Sequence, residues 1–321
     1  MVGITLLTRT NFTGNRFMKQ ILTTIAVWFD SWKAKESEDD RIDWVRVFPF
    51  VVMHLACLAI FVVGVSPAAV IIAIALYALR MFAITAFYHR YFSHRSFVTS
   101  RPIQFLFAAL GASSVQRGPL WWAAHHRRHH RYSDESQDSH SPRHGFWHSH
   151  LGWFLNRRNL RTRTEEVNEL LRYPELVWLD RFDLVVPIFL ACLCLLTGTL
   201  MEAFAPGLGT NGPQVLVWGF FVSTVILYHA TFTINSLAHR LGSQRFPTRD
   251  DSRNNFFLAL LTFGEGWHNN HHRYPGAARQ GFYWWELDLS YLGLRMLQML
   301  GLVWNLRPVP SKIIEAGRSR R

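Results

Sequence analysis

The sequence has little charge and few cysteines for its length. Asp, Glu, Lys and Arg make up 17% of the 321 residues, against about a quarter in typical soluble domains. The three cysteines, Cys57, Cys192 and Cys194, form no CxxC pair, and each lies inside an apolar run. Neither a disulfide scaffold nor a thiolate metal site is therefore indicated, and we expect free, buried thiols.

The pattern of a secretory signal peptide is also missing from residues 1–30. Arg9, Arg16 and Lys19 interrupt its weakly apolar stretch, and no small-residue cleavage site follows. We predict an amphipathic segment at the membrane interface, within an N-terminal cytosolic region over residues 1–43.

The apolar residues that are present are gathered into long runs. Four runs are long enough to cross a bilayer at about 1.5 Å per residue. They cover roughly 47–66, 68–88, 183–203 and 215–236. Because the runs form two close pairs, the predicted fold class is an all-α integral membrane protein with four transmembrane helices in two hairpins.

The formal charge of +12 permits a nucleic acid, an anionic membrane surface or an acidic partner. The links 64–68 and 201–214 contain no Lys or Arg, whereas the other flanks of the runs are basic. The positive-inside rule then predicts that both termini are cytosolic in a multi-pass protein of a bacterial-type inner membrane. Lipid headgroups account for basic flanks, so no nucleic acid is expected.

Three further segments are apolar but do not suit a span. Residues 103–114 and 256–263 are too short and predict surface or re-entrant helices, and 285–304 has the pattern of an amphipathic helix on the membrane. The sequence contains no internal repeat. We therefore predict one catalytic domain over 44–306 and a basic C-terminal tail over 307–321.

Nine of the sixteen histidines follow short, regular spacings. They lie in the segments HRYFSH, HRRHH, NSLAHR and HNNHH. Positions i, i+3 and i+4 of a helix share a face, so each of the HxxHH units HRRHH and HNNHH can direct its imidazoles into one pocket, on which the separate segments can converge. Nine nitrogen ligands exceed what a four-coordinate zinc ion needs, which predicts two metal ions. The predicted ligands are His89, His94, His126, His129, His130, His239, His268, His271 and His272.

The other histidines have no such pattern. A single histidine near a membrane interface is more often a satisfied polar residue or a headgroup contact than a ligand. We interpret six in this way: His54, His140, His144, His148, His150 and His229. His125 precedes a predicted ligand, and we expect it either behind the ligands or at the surface.

The three clusters 89–94, 126–130 and 268–272 resemble the three histidine boxes of membrane fatty acyl desaturases of the stearoyl-CoA, delta-9 type. The likeness extends over roughly 44–306. Further matching segments are Trp122-Ala123, Gly145-Phe146, His150 to Trp153, Asn235-Ser236 with Ala238-His239, and Gly264 to Gly266.

This resemblance implies that the nine histidines bind two iron ions beneath a cytosolic helical cap, with Asn235 holding a metal through a water. It implies O2 as co-substrate and a cis double bond, at delta-9, as the product. The sequence has no His-Pro-Gly-Gly haem motif of a fused cytochrome b5 domain. We therefore expect a separate electron donor, a ferredoxin or a cytochrome b5-like protein, with its reductase.

The chemistry requires an oxidant made at a cofactor, since no side-chain base removes a proton from an unactivated methylene. Carboxylates near the boxes are candidates to orient the ligands. They are Asp134, Glu135, Asp138 and Glu265, of which the first three are equally suited to be solvated loop charges. Tyr77, Met81 and Thr85 share a helix face leading from His89, and we predict that they line or close the acyl tunnel unless they only pack against neighbouring helices.

The sequence does not decide which molecule carries the acyl chain. The residues before the second box, Arg117-Gly118-Pro119 and Ala124-His125, depart from those that contact CoA in the animal enzymes. Acyl-CoA, acyl-lipid and acyl-carrier-protein substrates are all consistent with the sequence. Four arginines are candidates for binding phosphate or for lying against lipid headgroups. They are Arg157, Arg158, Arg161 and Arg163.

Two other functions fit the histidine pattern. A di-iron hydroxylase or other oxygenase on the same scaffold differs only in its product. A non-catalytic metal-handling membrane protein would place its ligands along a path within the bilayer, whereas these clusters gather at one side of the predicted membrane.

Overall fold

A computed structural model describes residues 22, 23 and 25–319. The predicted interfacial segment over residues 1–30 therefore lies largely outside the described residues. Of that segment, residues 22, 23 and 25–29 are described as helical, and a short helical turn follows at Ser31–Lys33.

The described chain is mainly helical. In chain order the helices are α1 (Trp44–Ala56, continued by Cys57–Ala59 and Ile60–Val63), α2 (Pro67–Phe82, continued by a π-helix at Ala83–Ser93), α3 (Arg101–Ala112), α4 (Pro119–Tyr132), α5 (Pro174–Arg181), α6 (Val185–Phe204), α7 (Gly212–Val215, Leu216–Val222 and Ser223–Ser236), α8 (Phe256–Leu261), α9 (His268–Arg273), α10 (Leu289–Met299) and α11 (Ser311–Arg318). Shorter helical turns lie at Pro142–His144, His148–Gly152, Trp153–Leu155, Arg157–Asn159, Thr164–Glu166, Asn168–Leu170 and Pro206–Leu208. Two short strands, β1 (Val98–Thr99) and β2 (Val303–Trp304), pair antiparallel with Val98 opposite Trp304.

Three of the described helices are long and apolar enough to cross a membrane. They are α2 over Pro67–Ser93, α6 over Val185–Phe204 and α7 over Gly212–Ser236. The first predicted span coincides with a shorter apolar stretch of α1, Val47–Val63. Pro49 and the 3-10 turn at Cys57–Ala59 interrupt the regular hydrogen bonding of this helix. Three full-length spans thus correspond to three of the four predicted.

Helix α2 delivers the first histidine cluster. It begins after Ser66, whose side chain accepts a hydrogen bond from the N–H of Ala69, with Pro67 at the first helical position. Its last eleven residues, Ala83–Ser93, are π-helical and all buried. π-helical segments are rare and frequently occur at functional sites, and this one contains His89.

Two apolar clusters surround the helices that carry the site. One joins the end of α2 with α3, α4 and α5, and Phe87 stacks on Phe107 there with ring centroids 3.9 Å apart. The other joins α1, α6 and α7 around Met53, Leu190 and Phe220. The helices α6 and α7 also approach closely, because a Cβ at Gly198 would lie 2.4 Å from the carbonyl oxygen of Asn211.

Arg80 lies fully buried within α2. Its guanidinium donates to the hydroxyls of Thr224 at 2.6 Å and of Ser223, and to the carbonyl of Ser113 at 3.3 Å. Burial of a charge is costly without such hydrogen bonds. These contacts fix α2 against α7 and against the chain that follows α3.

The three cysteines are free, as expected, but only Cys194 is buried. Cys192 is exposed on α6, so its predicted burial is wrong for the isolated chain. The apolar run that suggested burial is a helix long and apolar enough to cross a membrane, and the outer face of such a helix does not pack against protein.

Candidate metal centre

The nine histidines singled out by their spacing converge in the folded chain as two adjacent groups. Within each group, one nitrogen from every imidazole lies within 4.8 Å of the others. The first group contains His89, His94, His126, His130 and His271. The second contains His129, His239, His268 and His272.

Helices α4 and α9 each contribute to both groups. In α4, His126 and His130 are four residues apart and belong to the first group, while His129 belongs to the second. In α9 the assignment is reversed, since His268 and His272 belong to the second group and His271 to the first. Each HxxHH segment therefore bridges the two groups, which places two metal sites side by side.

The spacing of the inner nitrogens suits ligands of a metal ion. Two imidazole nitrogens bound at right angles to one metal at about 2.1 Å lie about 3.0 Å apart. The Nε2 atoms of His94 and His126 are 2.8 Å apart, and those of His89 and His271 are 3.0 Å apart. In the second group, the Nε2 atom of His239 lies 3.0 Å from that of His268. The donor set is all nitrogen, which suits iron among other transition metals.

Carboxylates orient four of these imidazoles from outside. Each contact is made at Nδ1, which donates to a carboxylate oxygen and leaves the lone pair of Nε2 directed inward. The pairs are His129 with Asp138 at 2.9 Å, His239 with Asp134 at 3.0 Å, His272 with Asp250 at 2.7 Å, and His89 with Glu265. Asp134, Asp138 and Glu265 thus occupy the orienting role expected of them, whereas Glu135 is exposed.

A buried ion network supports the carboxylate at His89. Arg90 is fully buried and lies 3.0 Å from Glu265 and 3.0 Å from Asp288. The side chain of Gln280 donates to Glu265 at 3.1 Å, and its backbone N–H donates to Asp288 at 2.7 Å. Such a network holds the end of α2 against the chain between α9 and α10.

Burial and mutual repulsion keep most of the imidazoles neutral. The pKa of five histidines is well below the ordinary value, first because burial disfavours the charged ring and then because other imidazoles are adjacent. They are His94, His126, His130, His268 and His271. The pKa of His272 falls to about 4 for the same first reason, although Asp250 partly offsets it. Neutral imidazole is the metal-binding form.

The pKa of His129 shifts in the opposite direction. Burial lowers its pKa, but the carboxylates of Asp138, Asp134 and Asp250 together outweigh that effect, and the pKa is raised. The pKa of Asp138 is correspondingly depressed, because the favourable field of His129 and His140 exceeds the cost of its burial. The carboxylate of Asp138 is therefore ionised and able to accept from His129.

Two cavities meet beside the first group. The larger, of about 450 Å³, lies between α1, α6 and α7 and is mostly aromatic and aliphatic. The smaller, of about 50 Å³, is lined by His89 and His126 of the first group and by His129 and His268 of the second. Both are lined by Trp122, His126, Thr231 and Asn235. Asn235, the predicted water-mediated ligand, thus lies at the junction, and the small cavity also touches His268.

The three tunnel candidates occupy different positions. Thr85 lines the small cavity and lies 2.5 Å from the hydroxyl of Ser290 on α10. Met81 is fully buried and packs with Leu227 and Ala230 of α7, and it lines neither cavity. Tyr77 also lines neither cavity and donates to the carbonyl of Leu261 at 2.6 Å. The three side chains therefore lie on successive turns of α2, with Thr85 at the small cavity and Met81 and Tyr77 farther from it.

Most of the remaining histidines are satisfied polar residues, as expected. His229 lies between His54 at 3.2 Å and His150 at 3.0 Å, and His150 continues to the hydroxyl of Ser236 at 2.9 Å. His148 bonds to the carbonyl of Ser139. The hydrogen-bonded imidazoles of His54, His229 and His150 belong to neither of the two histidine groups.

His125 and His140 differ from the other remaining histidines, because both are buried in the wall of the large cavity. The alternative of a surface position for His125 is therefore wrong. Its ring packs against Trp121 and Trp153, with centroids 4.5 and 5.6 Å away. The spacing of His125 relative to Trp121 and Trp153 in the sequence does not show that these three side chains line one cavity.

The sequence did not identify every residue that supports the site. Asp250, Arg90, Gln280 and Asp288 were not predicted. Asp250 contacts a histidine far along the sequence, and the other three act through Glu265 or its network, which no local spacing reveals. Asp250 precedes His272 by 22 residues and reaches it through a loop.

The four arginines proposed to bind phosphate lie beside acidic side chains of the N-terminal segment. Arg158 is 3.0 Å from Asp40, and Arg161 is 3.1 Å from Glu36. Arg157 is 3.4 Å from Asp39. Glu36 and Glu38 also act on Arg163, whose pKa is lowered chiefly by burial.

Comparison with known proteins agrees with this arrangement. The model of the family described as fatty acid desaturase matches residues 65–297. The sn-1 stearoyl-lipid 9-desaturase of Anabaena variabilis is 34% identical over 282 residues, which cover 86% of this chain and 98% of that protein. The delta-9 acyl-lipid desaturase 1 of Arabidopsis thaliana is 33% identical over 293 residues, or 89% of this chain and 88% of that protein.

An acyl-CoA 5-desaturase of Anemone leveillei is 36% identical over 221 residues, and the chain spans 64% of the length of that relative. These matches confirm the resemblance inferred from the histidine boxes. The apolar helices fit a membrane protein and the histidine groups fit metal binding. The chain belongs to the fatty acid desaturase family, whose members are oxidoreductases of lipid metabolism.

Proposed function

We propose that this protein is a fatty acyl desaturase that introduces a cis double bond, at delta-9, into a saturated acyl chain with O2 and two electrons. One observation carries the proposal: nine imidazoles converge in two adjacent groups, and four of them, His89, His126, His129 and His268, line two adjoining cavities, the larger of which is mostly apolar. Two iron ions bound there would supply O2 activation, which no side chain can perform.

The protein itself positions the chain and the ligands. Trp122, Thr231 and Asn235 line the junction next to His126, so methylene groups held there lie against the first group of imidazoles. The carboxylates at Nδ1 keep the inner nitrogens in the metal-binding tautomer. We further propose that Asn235 holds a metal through a water, since no protein imidazole completes the second group beyond its four members among the described residues.

The position of the double bond is proposed from the relatives. The Anabaena variabilis and Arabidopsis thaliana proteins, which match across 86% and 89% of this chain, are named as 9-desaturases of acyl lipids. The Anemone leveillei relative is named as an acyl-CoA 5-desaturase. The longer coverage of the first two supports delta-9.

We propose that the electrons come from a separate ferredoxin or cytochrome b5-like protein with its reductase. The formal charge of +12 supports an acidic donor, because opposite charge steers association. We also propose a bacterial-type inner-membrane location with both termini cytosolic, in which α1 forms a fourth span. The basic flanks of the apolar helices support this orientation.

The test is the fatty acid composition of a bacterium that lacks aerobic desaturases and produces the protein together with a ferredoxin and its reductase. Gas chromatography with mass spectrometry should detect a new cis monoene and locate its double bond. Cells producing His129→Ala should lack it, and cells producing His144→Ala, an exposed histidine outside both groups, should retain it. A hydroxylated fatty acid in place of the monoene would overturn desaturation in favour of hydroxylation.

A further inference from the structure

The large cavity opens through the side of the helical bundle. Its lining includes Val52 of α1 and Ile188 and Cys192 of α6. Val52 is 39% exposed and Ile188 is 53% exposed, and Cys192 is exposed as well. Because α6 is one of the helices that can cross a membrane, these positions face lipid acyl chains in a bilayer.

Behind this opening, an apolar path leads to the candidate metal centre. Phe220, Tyr228 and Phe232 of α7 form the floor of the cavity between α1 and α6. The same cavity reaches Thr231 and, beyond it, the predicted ligand His126. An acyl chain could therefore pass from the lipid-facing surface to the histidines without crossing water.

The charged groups in the cavity wall are already neutralised. Arg117 and Asp183 are the lining residues with a full charge, apart from any charged histidine, and they lie 2.8 Å apart. Arg117 also donates to the carbonyl of Leu160 at 2.9 Å and lies over the ring of Trp121. Such a wall favours a neutral, apolar ligand over a highly charged one.

Three of the four arginines suited to a polyphosphate carrier are likewise engaged. Arg157, Arg158 and Arg161 pair with the acidic stretch over residues 36–43. A carrier with several phosphates would have to displace these carboxylates, whereas an acyl chain that arrives from the bilayer would not.

We infer that the substrate chain enters sideways, through the gap between α1 and α6 at Val52, Ile188 and Cys192, while it is still attached to a membrane lipid. This inference rests on the proposed function and names its substrate class. The headgroup stays at the membrane surface, and the chain slides from the bilayer into an environment of the same polarity.

Closing the gap should separate this route from access through water. Ile188 and Cys192 lie one helical turn apart, so Ile188→Trp with Cys192→Trp fills the opening. Leu193→Trp with Leu196→Trp is the matched control, since both leucines are exposed on α6 and neither lines the cavity. Iron content per chain shows whether each variant keeps an intact site.

The experiment uses a saturated C18 acyl chain with a photoreactive group near its middle, carried either by phosphatidylglycerol in vesicles or by CoA. Cross-links formed in the purified, reconstituted protein are located by mass spectrometry. The lipid-borne chain should react at Phe220 or Tyr228 in the intact protein and in the control, and this reaction should fall to background in the double variant. Reaction that persists in that variant, or that occurs only from CoA, would overturn the inference.

This readout does not depend on turnover or on the electron donor. If the lipid-borne chain reaches Phe220 or Tyr228 but no cells or membranes ever yield a monoene, the proposed function fails while the route stands as a lipid-binding site. If monoene forms but closing the gap leaves its yield unchanged, the function stands and the route fails.

Discussion

The carboxylate of Asp134 joins His239 to the loop that precedes α8. One of its oxygens lies 3.0 Å from Nδ1 of His239 and accepts the backbone N–H of Asp251 at 2.8 Å. Asp134 has φ +61°, a conformation that aspartate tolerates better than most residues. Asp250, the neighbour of Asp251, orients His272. A single loop residue after α4 thus couples two imidazoles of the second group.

Replacing Asp134 with Asn should weaken metal binding in the second group. The amide cannot accept from His239 with the strength of a carboxylate, and loss of such an outer contact typically costs about 10- to 100-fold in metal affinity. Iron retention during dialysis against a chelator measures the effect. The control is Glu135→Gln, which alters the adjacent, exposed side chain. Equal retention in the two variants would show that Asp134 does not support a metal site.

Disrupting the network at Arg90 should affect the first group instead. Arg90→Met removes the partner of both Glu265 and Asp288 and leaves two buried carboxylates without it. Breaking a buried pair in this way costs about 3–5 kcal/mol. We expect a lower midpoint of thermal unfolding in detergent and loss of iron from the site that contains His89. An unchanged midpoint would mean that the network is not stabilising.

The length of the preferred acyl chain should depend on Met81. Met81 lies one helical turn before Thr85, which lines the small cavity, and packs against Leu227 and Ala230. Met81→Ala should extend that cavity and move the product profile toward longer chains, measured as the ratio of C18 to C16 monoenes. A matched change on the exposed face of α2 is Leu79→Ala, which should leave the ratio unchanged.

Truncating a buried methionine typically costs about 2–5 kcal/mol. The comparison therefore requires equal amounts of folded, iron-containing protein. An unchanged ratio under that condition would indicate that Met81 only packs between helices.

Acid should destabilise the metal-free protein over a defined range. The pKa of His272 is about 4 in the folded chain and about 6.5 when unfolded. Between these values the unfolded chain binds the proton and the folded chain does not, so the free energy of unfolding falls as the pH is lowered. The other imidazoles with lowered pKa act in the same direction. Thermal unfolding of iron-depleted protein at pH 7.5 and pH 5 measures this, and an equal or higher midpoint at pH 5 would contradict it.

The carboxylates Asp134 and Asp250 titrate in a separate range. Their pKa values are depressed from 3.8, because hydrogen bonds and the field of His239 and His272 outweigh burial. Their stabilisation is complete above the unfolded value and is lost only at lower pH. The change between pH 7.5 and pH 5 therefore belongs to the imidazoles.

Local spacing explains how the histidines could be identified before the fold was seen. In α4 and α9 the members of each HxxHH segment lie on one helical face, and that relation needs no tertiary information. The division into groups of five and four depends on how α4 faces α9 and α2, which spacing does not encode. His239 and His129 meet in the second group although 110 residues separate them.

Hydropathy located the apolar helices but not their limits. The predicted span over 68–88 continues to Ser93, because the π-helical segment extends the helix into the metal centre. The predicted first span is shortened by local irregularity in α1. The cavity between α1 and α6, and the pairing of Arg157, Arg158 and Arg161 with the N-terminal segment, arise from packing between distant parts of the chain.

Metal content tests the central claim most directly. Protein purified from iron-supplied cells, analysed by mass spectrometry of its elements against protein concentration, should contain two iron atoms per chain. His268→Ala, which removes a member of the second group only, should retain about one iron atom per chain. Exchangeable zinc, or no metal in intact folded protein, would contradict a two-iron centre built from these nine histidines.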